Sequence, residues 1–162
     1  MSAFAIIVSS LIGYLMGSFS TGLTVANFKG VKLRELGSKS TGATNALRVM
    51  GLKAGLVTFL GDFLKAALAI LLSRLLFSYQ ASHFAAVGCI IGHCFPVYYG
   101  FKGGKGVVVS VAVTLLFVPK LAIVSIIVCL ILIGVFRYVS LGSLSLVTLC
   151  FVLSIVFNLP VL

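Results

Sequence analysis

Asp62 and Lys65 stand three positions apart in GDFLKA, residues 61–66, within a stretch that is otherwise apolar. On a helix that spacing leaves the two side chains about 60° apart and roughly 4.5 Å along the axis, so carboxylate and ammonium can meet. A charge well inside an apolar span is costly and marks a pathway or a site. The carboxylates are Asp62 and Glu35 alone, and the imidazoles His83 and His93 alone. Such a set offers a hard cation little, and no metal is expected. What the chain can hold is an anion.

Two stretches are built for that. GSKSTGATNALRVMG, residues 37–51, combines glycines, hydroxyls, an amide, Lys39 and Arg48 just before a helix. Glycine turns let backbone N–H groups converge on a phosphate, hydroxyl and amide donors add directed bonds, and arginine supplies a fork. The same composition also suits an ordinary solvated connector. GFKGGKG, residues 100–106, packs three glycines around Lys102 and Lys105 over five positions, which suits backbone amides wrapped around a phosphate. The G-x-x-x-x-G-K-[ST] spacing of a P-loop is absent, which disfavours a nucleotide-hydrolysing motor.

Three further groups accompany them. His93, in GHCFP, lies about ten residues before the lysine–glycine loop and around the turn at Pro96, where it can reach a site or orient loop backbone. Ser140 and Ser143, in RYVSLGSLS, share a helix face near an N-terminus, where free N–H groups attract anions; serines there also commonly bond a carbonyl or pack a helix. Cys89, Cys94, Cys129 and Cys150 fall in apolar runs and read as small packing residues.

The elements that must position these groups are membrane helices. With 61% hydrophobic residues, 9% charged and a mean hydropathy of +1.29, the chain is an integral membrane protein. Its continuous apolar runs predict an all-α polytopic bundle of about six helices, at 3–27, 54–78, 82–101, 107–119, 120–136 and 140–159. Pro119-Lys120 divides the fourth from the fifth. The first run lacks a basic leader and a cleavage site and reads as a span. Nine lysines and arginines lie in loops on one side, against Arg74 and Lys120 on the other. That bias puts the basic loops in the cytoplasm and the N-terminus outside. Anionic headgroups suit such a face, whereas nucleic acid is a poor partner, because no aromatics interleave the charges.

Taken in order, GSKSTGATNALRVMG, GDFLKA, GHCFPVYYGFKGGKGV and RYVSLGS resemble the bacterial acyl-phosphate:glycerol-3-phosphate acyltransferases, the PlsY family, over about residues 13–146. The resemblance implies a seven-helix enzyme of the bacterial cytoplasmic (inner) membrane, its site facing the cytoplasm. It would transfer a fatty acyl group from acyl phosphate to the 1-hydroxyl of glycerol 3-phosphate, giving lysophosphatidic acid and phosphate without cofactor or metal. An absence agrees: acyl-CoA-dependent acyltransferases use H-x-x-x-x-D, and here Gly88 and Tyr98 occupy the aspartate position after His83 and His93.

By position, the resemblance implies that Ser38, Asn45 and Arg48 bind glycerol 3-phosphate. Lys102, Gly103, Gly104 and Lys105 would form the phosphate pocket, with Ser140 and Ser143 adding hydroxyls. Lys65 would project toward the anions, supported by Asp62, and Lys105, His93 and Lys65 would form the catalytic set. Residues 1–162 would be one acyltransferase domain lacking the family's C-terminal helix and its H-x-N-x-x-R-like segment; Ser40 stands where the family usually has asparagine. A membrane carrier or binding protein for phosphate or an organophosphate is the competing reading, with Asp62 and Lys65 lining a path.

Overall fold

Apolar runs of this length satisfy their backbone inside a membrane only by becoming helical, and they do so throughout the computed structural model, which describes residues 1–157. Eight α-helices and no strand occur among the described residues: α1 Ala3–Ser18, α2 Thr21–Phe28, α3 Ala43–Met50, α4 Leu52–Leu76, α5 Tyr79–Cys94, α6 Val107–Phe117, α7 Pro119–Phe136 and α8 Val139–Val156. Five helical stretches are long and apolar enough to cross a membrane, the first being α1 and α2 together, and α6 is a shorter apolar helix. The chain is a polytopic membrane helical bundle. It forms two compact units, Met1–Val109 and Ser110–Leu162, divided within α6.

In the first unit α1, α4 and α5 run alternately up and down. The rings of Phe4 and Phe77 meet edge to face at 6.2 Å at one end, and the Tyr14 hydroxyl donates to the Phe95 carbonyl at 3.1 Å toward the other. Helices in lipid gain little from apolar side chains and associate by close backbone approach. Here α1 and α5 do so reciprocally. Gly13 and Gly17 lie against the backbone of Ala85 and Cys89, while Gly88 and Gly92 lie against the backbone of Ser10 and Tyr14; a Cβ at any of the four would overlap main chain. A buried Ser73–Ser9 hydroxyl bond of 2.7 Å ties α4 to α1. Leucines such as Leu60, Leu64 and Leu68 face outward, as a lipid-exposed surface requires.

In the second unit α7 and α8 pair through small residues. Gly142 lies against the Cys129 carbonyl and Ile133, and Arg137, left-handed at φ 60°, turns one helix into the next.

Three expectations need correction. The span at 3–27 is broken: Phe19 leaves helical geometry and the Ser20 hydroxyl caps α2 by accepting from Leu23 N–H. The basic stretch at 28–53 is not all loop, since Gly42 and the left-handed Gly51 bracket helix α3. The break before α7 falls at Val118, with Pro119 as the first helical residue, where its missing N–H costs nothing. The expected end of the last span at residue 159 lies outside the described residues.

Candidate functional site

The break between α1 and α2 leaves the Phe19 carbonyl without a helical donor. Lys65, one turn below Asp62 on α4, supplies it. The Lys65 ammonium donates to Phe19 O at 2.7 Å, pairs with Asp62 Oδ1 at 2.9 Å and stands 2.9 Å from His93 Nδ1. Two of the three N–H groups of the ammonium thus have acceptors, Phe19 O and His93 Nδ1, and Asp62 Oδ1 faces the charge as an ion pair. The cluster is closed off from solvent, with Lys65 7% exposed, His93 6% and Asp62 1%. Thr21, at the start of α2, faces the Asp62 carboxylate. Lys65 is held where α1, α4 and α5 meet.

His93 carries the connection outward. Beyond α5 the chain turns at Pro96 through a 3-10 turn, Val97–Tyr99, and doubles back so that Gly104 N–H donates to His93 O at 3.0 Å and Gly103 N–H donates to Cys94 O at 3.2 Å. These two amides cap the end of α5. Both amides thus already have acceptors within the protein. What the glycines permit is proximity: a Cβ on Gly104 would overlap the His93 ring at Nε2, and one on Gly103 would overlap His93 O and crowd Pro96. Lys102 and Lys105, on either side, are exposed.

The first basic motif is organised from within by Asn45, which is 1% exposed in α3. Its Oδ1 accepts from Ser38 N–H at 2.8 Å, and its Nδ2 reaches the carbonyls of Leu33, Leu36 and Ser40 at 3.3, 3.1 and 2.9 Å. Two N–H groups are thus shared among three acceptors, so Asn45 shapes the loop. Arg48, nearly one turn further along α3, and Ser38 and Lys39 in the loop are exposed. Ser140 and Ser143 lie in the first turns of α8 in the second unit, where the Ser143 hydroxyl donates to the Ser140 carbonyl at 3.0 Å.

Arg34, counted from the sequence only as a charge, joins the two loops. From the 3-10 turn Leu33–Glu35 it donates through Nη2 to Tyr99 O at 3.0 Å and to Lys102 O. Arg34 thus ties the turn before the first basic motif to the second, and Ser38, Lys39 and Arg48 of the one and Lys102 and Lys105 of the other are exposed. Such residues can hold organic phosphates beside an apolar bundle. No cluster of histidine, cysteine or carboxylate suited to a metal occurs among the described residues.

Comparison with known proteins agrees in sequence and in fold. Residues 7–162 match the family model described as glycerol-3-phosphate acyltransferase, which runs across both units. The glycerol-3-phosphate acyltransferase of Bacillus subtilis (strain 168) is 42% identical over 135 residues, covering 83% of this chain and 70% of that protein. That of Aquifex aeolicus (strain VF5) is 38% identical over 156 residues, 93% of this chain and 80% of that protein. The crystal structure of PlsY, an integral membrane glycerol 3-phosphate acyltransferase, is similar in its glycerol 3-phosphate form with a TM-score of 0.89 and 36% identity, over 96% of this chain and 79% of that one. Its lysophosphatidic acid form gives 0.83 and 34% over the same shares.

Proposed function

Because the chain belongs to the glycerol-3-phosphate acyltransferase family, we propose that its donor is acyl phosphate and its product lysophosphatidic acid. That it is an integral membrane acyltransferase follows from the family and the fold together. The observation that carries the finer reading is the Arg34 tie: two phosphate-bearing substrates need two anion contacts side by side, and Arg34 holds the turn before the first basic motif against the second. Lys102 and Lys105 neutralise one phosphate, and Arg48 and Ser38 the other. The acyl tail lies among apolar helices.

The reaction needs no covalent enzyme intermediate. The 1-hydroxyl of glycerol 3-phosphate attacks the acyl carbonyl, the new C–O ester bond forms, and the bond from the acyl carbon to the phosphate oxygen breaks. The hydroxyl proton passes to an oxygen of the departing phosphate. His93 Nδ1 faces the Lys65 ammonium at 2.9 Å and is closed to that proton. Phosphate is already a good leaving group, so the site's work is to hold two anions in attacking geometry and to stabilise the charge that develops on the carbonyl oxygen. The lysine and arginine bias of the loops supports a site facing the cytoplasm, with the N-terminus outside a bacterial inner membrane.

The test is direct. Purified protein receives palmitoyl phosphate and glycerol 3-phosphate, with palmitoyl-CoA as the control donor, and both phosphate and lysophosphatidic acid are measured. Equal amounts of both, from the acyl phosphate alone, are expected. Product from palmitoyl-CoA alone would replace the donor assignment, and tight binding of both anions with no product would favour the carrier.

A further inference from the structure

The buried cluster below the loops has a direction. The Lys65 ammonium donates to Phe19 O, stands 2.9 Å from His93 Nδ1 and pairs by charge with Asp62 Oδ1. An ammonium has no lone pair to offer, so His93 Nδ1 is the acceptor and the proton of a neutral imidazole sits on Nε2. Lys65 and Asp62 cancel in charge, and a neutral ring leaves the cluster without net charge, which suits its burial. Nε2 is the ring atom that lies against Gly104. The same residue also accepts Gly104 N–H at its carbonyl, at 3.0 Å. His93 thus registers the lysine–glycine loop twice, once through backbone and once through its ring.

We propose that Lys65 and Asp62 are positioning residues that fix His93 as an Nε2–H donor under the Lys102–Gly106 loop, where that N–H helps hold the anion the loop binds. The role differs from proton transfer. His93 works as a fixed dipole, and Lys65, whose own charge never reaches the substrate, acts through it. The glycine at 104 is what lets the ring approach the loop. This inference rests on the reading that the loop carries a substrate phosphate.

The primary measurement needs no turnover. Long-range nitrogen–proton correlation spectra of histidine-labelled protein in detergent should show His93, assigned by its loss in His93→Gln, as a neutral ring with the proton on Nε2. A ring protonated on Nδ1, or on both nitrogens, overturns the proposal. In Asp62→Asn/Lys65→Met, which removes both charges and leaves none unpaired, the ring should populate both tautomers; an unchanged Nε2–H signal in the folded double variant would also overturn it.

Kinetics then ask whether the donor matters. Gln puts an amide N–H near the position of Nε2, whereas Asn mimics Nδ1. His93→Gln should raise the KM of a phosphate substrate clearly less than His93→Asn and His93→Ala, which raise it about 10- to 100-fold, the worth of a hydrogen bond to a charged group. Equal KM values for Gln and Ala, with Lys105→Ala strongly impaired, would sink the donor role and leave the phosphate loop standing. Wild-type turnover in Lys105→Ala would instead remove the loop from the site, an outcome distinct from any change in the tautomer spectrum.

Discussion

Arg34 donates to the carbonyl of Tyr99 at 3.0 Å across 65 positions of sequence, and its guanidinium lies 5.9 Å from the centre of the same residue's ring. Carbonyl, ring and the neighbouring Lys102 carbonyl are thus gathered by one planar cation. Lysine keeps the charge but offers neither the fork nor the flat face. Arg34→Lys should therefore raise the KM for glycerol 3-phosphate about tenfold, on the scale of one lost charge-assisted bond, with little change in melting temperature. Unaltered kinetics in that variant would mean that the two basic loops hold their places without the clamp.

Gly104 and Gly100 sit four residues apart and should respond differently to alanine. At Gly104 a methyl group would drive into the His93 ring, whereas at Gly100 nothing lies within 4 Å and only the left-handed φ of 65° resists substitution. Displacing a loop by about 1 Å can cost on the order of 100-fold in rate, and that loss is expected for Gly104→Ala. Gly100→Ala should cost about 1–2 kcal/mol of local stability and keep most of its turnover. Steady-state assays of the two proteins side by side decide the matter, and similar losses would remove the ring contact as the cause.

Asn45 has no conservative replacement. Asn45→Ala takes the Asn45 partner from Ser38 N–H and Ser40 O, while Leu33 O and Leu36 O keep only their backbone donors, Leu36 N–H and Lys39 N–H. Asn45→Asp keeps the Ser38 bond but sets a carboxylate against the carbonyls of Leu33, Leu36 and Ser40. Aspartate should be the worse, each unpaired group costing about 1–3 kcal/mol and charged groups more. Amide hydrogen exchange across residues 33–42 should accelerate in both variants, more in the aspartate. Protection equal to wild type would show that the loop is shaped by something else.

Packing predicts a second contrast, between Gly88 and Gly134. A Cβ at Gly88 would overlap the Ser10 carbonyl, while at Gly134 in α7 nothing lies within 4 Å. Gly88→Ala should destabilise by about 1–3 kcal/mol as the helices are forced apart; Gly134→Ala should stabilise by about 0.5–1 kcal/mol. Thermal melts in one detergent give the signs. A stable Gly88→Ala protein would mean that α1 and α5 tolerate separation.

Among the lysines, Lys105→Ala should sharply reduce turnover in a folded protein, whereas Lys29→Ala, at the exposed end of α2, should change it little. A large loss at Lys29 would extend the anion surface well beyond the two motifs.

The sequence shows the spans because hydropathy over a membrane thickness is a long, strong signal, and it shows the Asp62–Lys65 pair because i,i+3 spacing is local. It hides α3, whose eight residues are too few for a clear period and are rich in turn formers. It hides the break at Phe19, which interrupts an apolar run without proline. The engagement of the Gly103 and Gly104 amides at the end of α5 depends on a reversal at Pro96 that composition does not encode. Arg34 looks like one more surface charge until Tyr99 is placed beside it. The glycines of α1 and α5 did carry a readable sign, since positions 13 and 17 and positions 88 and 92 each have the spacing of a helix contact.

That contact also sets an order of events during synthesis. Gly13 and Gly88 are about 75 positions apart, so at roughly 5–20 residues per second α1 waits roughly 4–15 s in the membrane for its partner. Toward the end of that interval Lys65 and Asp62 have been made, but His93 has not. The arrival of α5 brings the glycine ridge and the imidazole in the same helix. Closure of the helix pair and completion of the buried cluster are therefore one step, and a nascent chain halted before Gly92 holds neither.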